Sequence, residues 1–364
     1  MSQELGPNAR ELLGVVAFFP QGLDENNLDW LFPTLPDGTS VSDTLCNLSL
    51  AYRSGGFIMM LAPLRDHLYP KDPKSSQLLC TTKDHYFSRL AVLVDPLNPG
   101  FEEARWIISE DTNVEHLLDV FTCAGADSDD VWDACSFFML HLYWHKPRPV
   151  VLGSKIEGLP DSHPSKQECL FMLSRLYSLV GNHVERKRLL GHTSKLYRER
   201  GDDLRVAATL LLLSDVNWKL GFHEEGTSQA KEALEFYERL LHVLGQARSL
   251  LGLARMLYDD NQFDEAEQAA SRALDLSSGE DDQFQVSACH RCLGHIHRRK
   301  EEGEAAINHF NAALGIASRF NWRNEQVLCH LSLAELFADE GRLTFRSSTP
   351  NHMQLTTRAT LVAY

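Results

Sequence analysis

Small residues return along this chain at an interval of 40 positions, from near Gln167 toward the C-terminus. Ser174, Ser214, Ala254, Gly294 and Ala334 keep that interval, and Leu173, Leu213, Leu253, Leu293 and Leu333 precede them. Later in each unit come Gly226, Ala266 and Ala306, then Ala233, Ala273 and Ala313, the last three each followed by leucine. Self-similarity of this length specifies a stack of like units rather than one globule. Such a stack presents surface and carries no chemistry of its own, so it points to binding rather than catalysis.

Each unit reads as two helices. The first carries leucines at helical spacing around the small residue, as in Leu210, Leu213 and Ser214, and again in Leu250, Leu253 and Ala254. A turn follows at Gly181, Gly221, Asn261 and Gly341, residue types that tolerate positive φ. The second helix carries small residues seven apart, such as Ala266 and Ala273, which places both on one face and lets the paired helices approach closely.

The order of small residue, turn, aromatic, Ala and Ala-Leu resembles the tetratricopeptide (TPR) pattern, most fully in Leu251 to Leu276 and Cys292 to Ala317. The resemblance implies a right-handed α-solenoid of four full units plus the first helix of a fifth at Glu325 to Asp339. The usual TPR unit has about 34 residues. The extra residues here fall between units, at Gly201-Asp202-Asp203 and Gly279-Glu280-Asp281-Asp282. The first unit is degenerate, with Arg186 and Thr193 where alanine is expected.

At 364 residues the chain has room for two or three domains. Its net charge of −15 argues against broad binding to nucleic acid or to a membrane surface. No apolar run approaches a membrane span, and the N-terminus lacks a signal-peptide pattern. The eight cysteines show no disulfide framework, which suits a reducing, cytoplasmic setting. The Asn47-Leu48-Ser49 sequon then carries no weight.

Residues 8–24 read as an apolar helix ending at Pro20 and Gly22. Asp24 is placed to cap a second helix containing Leu28, Trp30, Leu31 and Phe32. A third helix is expected near Val41 to Leu50, then a hairpin turning at Gly55-Gly56, then a helix from Leu64 to Leu68 behind Pro63. Three helices followed by a hairpin make a winged-helix arrangement. The segments ARELLGVVAFFPQGLDE and FIMMLAPLRDHL resemble the winged-helix domain that closes the nucleotide module of STAND switch ATPases, the NB-ARC and NACHT families. With the repeats, the whole chain resembles the C-terminal half of fungal NB-ARC/NACHT–TPR proteins.

In those families a Met-His-Asp triplet opens the helix after the wing and contacts ADP. Here Met60, Leu61 and Ala62 stand there, without the His and Asp. Nor does the chain contain a G-x-x-x-x-G-K-[ST] loop to cradle phosphates. No nucleotide hydrolysis and no cofactor are expected of it. The family implies instead an NTPase module in cis or in trans. Residues 96–165 are less readable, with amphipathic helices expected at Asn113 to Thr122 and Asp130 to Trp144 and a Pro/Gly-rich loop after them.

The expected fold is all-α apart from a small β wing. It comprises a winged-helix-like domain at 1–95, a helical connector at 96–165, the TPR solenoid at 166–342 and a divergent tail at 343–364. The tail carries Pro350 where a helix interior should lie. That predicts an uncapped last unit with Leu331, Leu333, Leu336 and Phe337 partly uncovered unless the tail folds back, and a C-terminal edge prone to self-association or marginal stability.

Three candidate sites stand out. The third helix of the winged-helix arrangement, SVSDTLCNLSL, lacks the Lys and Arg that phosphate neutralisation needs, so no nucleic acid is expected there. Cys289-x-x-Cys292, with His290, His295 and His297 nearby, lacks a second pair at ligand spacing and reads as packing, not as a metal site. The remaining candidate is the face of the first helices, which in TPR proteins lines a ligand groove. By register it takes Arg175, Asp215, Trp218, Lys219, Arg248, Arg255, Tyr258, Arg291, His295, Arg298 and Arg299. A mainly basic strip in an acidic chain suggests a groove for an acidic peptide or a carboxyl terminus, Arg taking carboxylates and Trp and Tyr anchoring the peptide. The alternative is an ordinary solvated face.

No catalytic arrangement has a local signature. The expected function is a non-catalytic interaction module, the ligand-sensing part of a STAND-type switch. A standalone TPR adaptor or co-chaperone scaffold is the runner-up, and a winged-helix transcription regulator with a TPR sensor the third.

Overall fold

The computed structural model describes residues 5–32, 38–92, 101–122, 129–145, 148, 150–280 and 282–339. The expectations for residues 343–364, including Pro350, lie outside them. The chain divides into two compact units, Met1–Arg205 and Val206–Tyr364. Among the described residues no helix is long and apolar enough to cross a membrane.

The first unit is built around α1 (Pro7–Phe18), where Pro7 at the first helical position supplies a preset φ. Leu12, Leu13, Val15, Val16, Ala17 and Phe18 are all buried, so α1 is apolar on nearly every side and sits inside the core. The expectation of a helix running on to Pro20 and Gly22 is corrected. The helix stops at Phe18, Gly22 turns the chain at φ +80°, and Leu23–Asp24 form strand β1. A side chain at Gly22 would overlap the carbonyl oxygen of Ile58, so only glycine admits the strand beside it.

Asp24 accepts a hydrogen bond from the Asn26 amide and caps a 3-10 turn, Glu25–Asn27, that leads into α2 (Leu28–Leu31). α3 spans Gly38–Asn47, three residues ahead of the expected helix at each end. The Gly55-Gly56 turn joins β2 (Tyr52–Ser54) to β3 (Phe57–Met59), and α4 (Ala62–Leu68) follows. β1 joins the hairpin through Leu23 opposite Ile58, giving an antiparallel sheet of order β1-β3-β2.

Then come α5 (Gln77–Val92), α6 (Phe101–Phe121), α7 (Asp129–His145), α8 (Gly153–Gly158), α9 (Lys166–Leu179) and α10 (His183–Arg200). α6 starts well before the expected Asn113 and carries two polar edges. Glu110 and Asn113 are fully buried. Asn113 donates to the Gly22 carbonyl at 2.7 Å and to Glu110 at 2.7 Å, and Tyr86 donates to Glu110 at 3.2 Å. One turn round, Asp119 pairs with Lys155 at 2.7 Å, while Arg148 pairs with Glu115 at 2.6 Å and Asp111 at 3.3 Å.

A single hydrophobic cluster runs from Leu5 to Leu196, through α1, the sheet, α5–α7 and the α9–α10 pair. The helices of the degenerate first repeat therefore belong to the first unit's core. Cys169 on α9 lies 3.3 Å from Ser136 Oγ on α7 and donates to the Trp132 carbonyl at 3.6 Å. Arg186 and Thr193, standing where alanine was expected, are both buried, and Thr193 donates back to the Leu189 carbonyl.

Beyond the unit boundary the helices pair in sequence. They are α11 (Asp203–Lys219) with α12 (His223–Arg239), α13 (Val243–Asp259) with α14 (Phe263–Gly279), α15 (Gln283–Arg299) with α16 (Gly303–Arg319), then α17 (Arg323–Asp339). Small residues set the close approach. A Cβ at Gly226 on α12 would lie 3.1 Å from the Ser214 carbonyl oxygen on α11. Phe310 on α16 fills the space left by Gly294 on α15, where a Cβ would sit 2.6 Å from its ring. On α17 Leu331 is exposed, but Leu336 is buried with Ala306 and Phe310, which corrects the expectation that it is left uncovered.

Candidate functional site: a groove on the first helices of the second unit

Two adjoining clefts open on α11, α13, α15 and α17, sharing Trp218, Arg255 and Ala288. The smaller, of about 260 Å³, has apolar walls from Leu211, Leu251, Met256 and Phe284, with Asp215 and Arg248 at its rim. The larger, of about 480 Å³, is bounded mainly by polar side chains, Tyr258, Asp259, Arg291, His295, Arg298 and Glu335.

Eight of the eleven candidate residues line these clefts: Asp215, Trp218, Arg248, Arg255, Tyr258, Arg291, His295 and Arg298. Three do not. Arg175 lies in the first unit, its guanidinium 4.2 Å from the Tyr143 ring centre. Lys219 turns to Asp215 at 3.2 Å, an i,i+4 pair on α11. Arg299 lies over the Phe263 ring at 5.1 Å and donates to Asn261 at 3.0 Å.

The groove is not the basic strip that the sequence suggests. Arg248 pairs with Asp282 at 3.4 Å, Arg291 with Glu325 at 3.2 Å and Arg298 with Glu335 at 2.5 Å. The Trp218 indole N–H donates to Asp259. Helix register alone does not reveal these acids, because each stands in the next repeat unit, 34 to 41 positions on. Adding about one repeat length to each arginine would have found them. His295 adds no charge, because burial foremost, with Arg291 beside it, pushes its pKa down to about 4. Its Nε2 lies 3.2 Å from Ser332 Oγ. Arg255 is exposed, and its guanidinium makes no hydrogen bond or ion pair with any described residue.

Next to the groove, Cys289 and Cys292 are buried, and burial pushes their thiols up to about 12 and about 11. Such thiols stay protonated and are poor metal ligands. The nearby imidazoles have other partners. His290 Nδ1 lies 3.0 Å from His309 Nδ1, His297 stacks on His309 at 5.1 Å, and His297 pairs with Glu302 at 2.6 Å. Among the described residues no group of three or more His, Cys, Asp or Glu is arranged to hold a metal.

Residues 205–278 match the tetratricopeptide repeat family. No curated protein matches the chain. Among solved structures, the Rap protein complexed with Competence and Sporulation Factor is similar with a TM-score of 0.52 at 16% identity, over 71% of this chain and 72% of that one. A STAND protein with a tetratricopeptide repeat sensor from Pyrococcus horikoshii gives a TM-score of 0.47 at 13% identity, over 96% of this chain and 58% of that one. Aspartyl phosphate phosphatase F from Bacillus subtilis gives 0.47 at 12% identity, over 94% and 83%. The chain thus spans 58% of the length of the Pyrococcus protein. At such identities the likeness speaks for fold alone. Of the three, the Rap likeness is close enough to bear on the fold, and the family match marks residues 205–278, which hold most of α11 and all of α12 and α13 with nearly all of α14, as tetratricopeptide repeats.

Proposed function

We propose that this chain is a non-catalytic interaction module whose second unit takes a peptide or protein segment in the α11–α17 groove. The observation that carries this reading is the pair of joined clefts, one walled by apolar side chains and one mainly by polar ones, with aromatic and Arg side chains at their junction. That composition matches the anchors that dominate protein interfaces. A tetratricopeptide array also presents its first helices as an extended surface.

We further read the chain as the ligand-sensing part of a STAND-type switch, in which ligand on the repeats acts on an NTPase module in cis or in trans. Support comes from the first unit, where α1–α3, the β2–β3 hairpin and α4 follow the order of a winged-helix domain. α3 carries no Lys or Arg, so a packing role for this domain is favoured over DNA binding.

The test is selection from a random octapeptide display library on the immobilised full chain, against a Gly252→Phe variant. Gly252 lines the apolar cleft, and a Cβ there meets only Leu211 at 3.7 Å, so the variant fills the groove without breaking the helix. Peptides enriched on the native chain and lost on the variant are expected. Equal recovery on both would remove the groove from the function.

A further inference from the structure

The pairing of charges inside the groove narrows the kind of segment it takes. Three of its four lining arginines are already matched by carboxylates of this chain, at Asp282, Glu325 and Glu335. The Arg291–Glu325 pair is partly withdrawn from water, with side-chain exposures of 22% and 12%. Replacing Glu325 by a ligand carboxylate would strand it beside the incoming charge. Asp259, whose partner Trp218 is a neutral donor, adds further negative charge in the polar cleft, while the Asp215 charge is matched by Lys219. A run of ligand carboxylates would therefore meet as much repulsion as attraction. Arg255, at that junction, is the lining cation left without a carboxylate among the described residues.

Beside Arg255 lies the apolar cleft of about 260 Å³ walled by Leu211, Leu251, Met256 and Phe284. It is smaller than the roughly 300–1,000 Å³ of a pocket that encloses a whole small ligand. Its size suits one large side chain of a longer segment. Trp218 spends its only donor on Asp259, so it offers a ring face rather than a hydrogen bond. An exposed ion pair alone binds weakly, and the neighbouring apolar contact is what gives the carboxylate a fixed place.

We propose that the groove selects a segment carrying one carboxylate beside one large apolar side chain, the carboxylate on Arg255 and the apolar group in the Leu211–Phe284 cleft, and that it discriminates against polyacidic segments. This rests on the groove reading above and replaces its acidic-peptide ligand with an amphipathic, singly acidic one.

The experiment uses the full chain and fluorescence anisotropy with four labelled Gly/Ser peptides. They carry a Leu-Glu pair, a Leu-Gln pair, an Ala-Glu pair or four consecutive Glu. The Leu-Glu peptide is expected to bind tightest. Arg255→Gln should weaken it about tenfold while leaving the Leu-Gln peptide unchanged. Arg272→Gln, removing a cation that pairs with Glu238 away from the groove, should change neither. The display selection should enrich sequences with a single Asp or Glu next to Leu, Phe or Met.

Tightest binding by the four-Glu peptide, or enrichment of polyacidic sequences that Gly252→Phe abolishes, would overturn this inference and leave the groove reading standing. The same holds for Leu-Glu binding that ignores Arg255→Gln. No enrichment on the native chain over Gly252→Phe would bring down the groove reading, and this inference with it.

Discussion

The two units bury different kinds of side chain. In the first, Trp132, Tyr86, Phe18, Phe19, Phe32 and Phe138 are fully enclosed in one continuous cluster. In the second, the buried positions of the second helices are mostly alanines, among them Ala230, Ala266, Ala270, Ala273, Ala306 and Ala313, and the apolar contacts break into separate small clusters. A core of large interlocking rings ties distant segments together. In the second unit small residues on the second helices meet leucines such as Leu250, Leu253 and Leu293 on the first, and each helix is held to its neighbours, so stability in a repeat array is a sum of local terms. The groove lies on the first helices, α11, α13, α15 and α17.

The largest effect should come from breaking the ring cluster. Phe18 packs on Phe19 at 5.2 Å, Tyr69 at 5.7 Å and His116 at 4.7 Å. Phe18→Ala should cost about 3–5 kcal/mol in urea unfolding. A loss of less than a third of that would mean the first unit is not held by its rings. Next is Gly294→Ala, whose new methyl would press on Phe310. It should cost about 1–3 kcal/mol, with amide exchange rising in α15 to α17 and unchanged in α1. Phe310→Leu in the same chain should restore much of the loss. Exchange rising equally in both units would refute the local picture.

Asp282 accepts from the Gln285 amide at 3.1 Å, capping α15, and also holds Arg248. Asp282→Ala should cost about 1 kcal/mol and free a second groove arginine. Binding of the four-Glu peptide should then rise, and no change in it would count against neutralisation as the source of selectivity.

The smallest effects are in pH, and they take opposite signs in the two units. His309 is pushed down to about 4 by burial and then by His290 and His297, against the pull of Glu267, with Glu302 bound to His297 close by. Its unfolded value is near 6.5, so the unfolded chain binds the proton first. Stability is full above that value and falls as pH drops toward 4. Glu110 in the first unit is raised, by burial foremost, so its contribution is full below its unfolded value and is lost as pH rises through the folded one. His116, lowered by burial, opposes Glu110 within that unit, so the comparison needs variants. Thermal unfolding of His309→Gln and Glu110→Gln from pH 7.5 to about 4.5 should flatten the profile in opposite directions. Parallel profiles would sink the assignment.

Much of the second unit was legible because its constraint is local and repeated. Ser214, Ala254, Gly294 and Ala334 each fall within a first helix, and the paired second helices follow Gly221, Asn261 and Glu301, all at positive φ. Glu301 shows that the turn tolerates a costlier residue once its flanking helices are packed. The first unit was less legible. The apolar run in α1 continues into Leu23, and periodicity could not say that the helix ends and a strand begins. What decides it is Ile58, 35 positions away, pairing with Leu23. Likewise, nothing local in the sequence joins α9 to α7, since the Cys169 contacts span 33 and 37 positions.

By itself, then, the sequence determined where the helices of the repeats lie and which of their faces carries Arg, Trp and Tyr, because helix periodicity and turn chemistry act over a few residues. Only the tertiary structure decided what charge that face presents. An arginine's field is cancelled by whichever carboxylate the fold brings within about 4 Å. For Arg248, Arg291 and Arg298 those carboxylates arrive from the following repeat, and for Arg255 none of the described ones does.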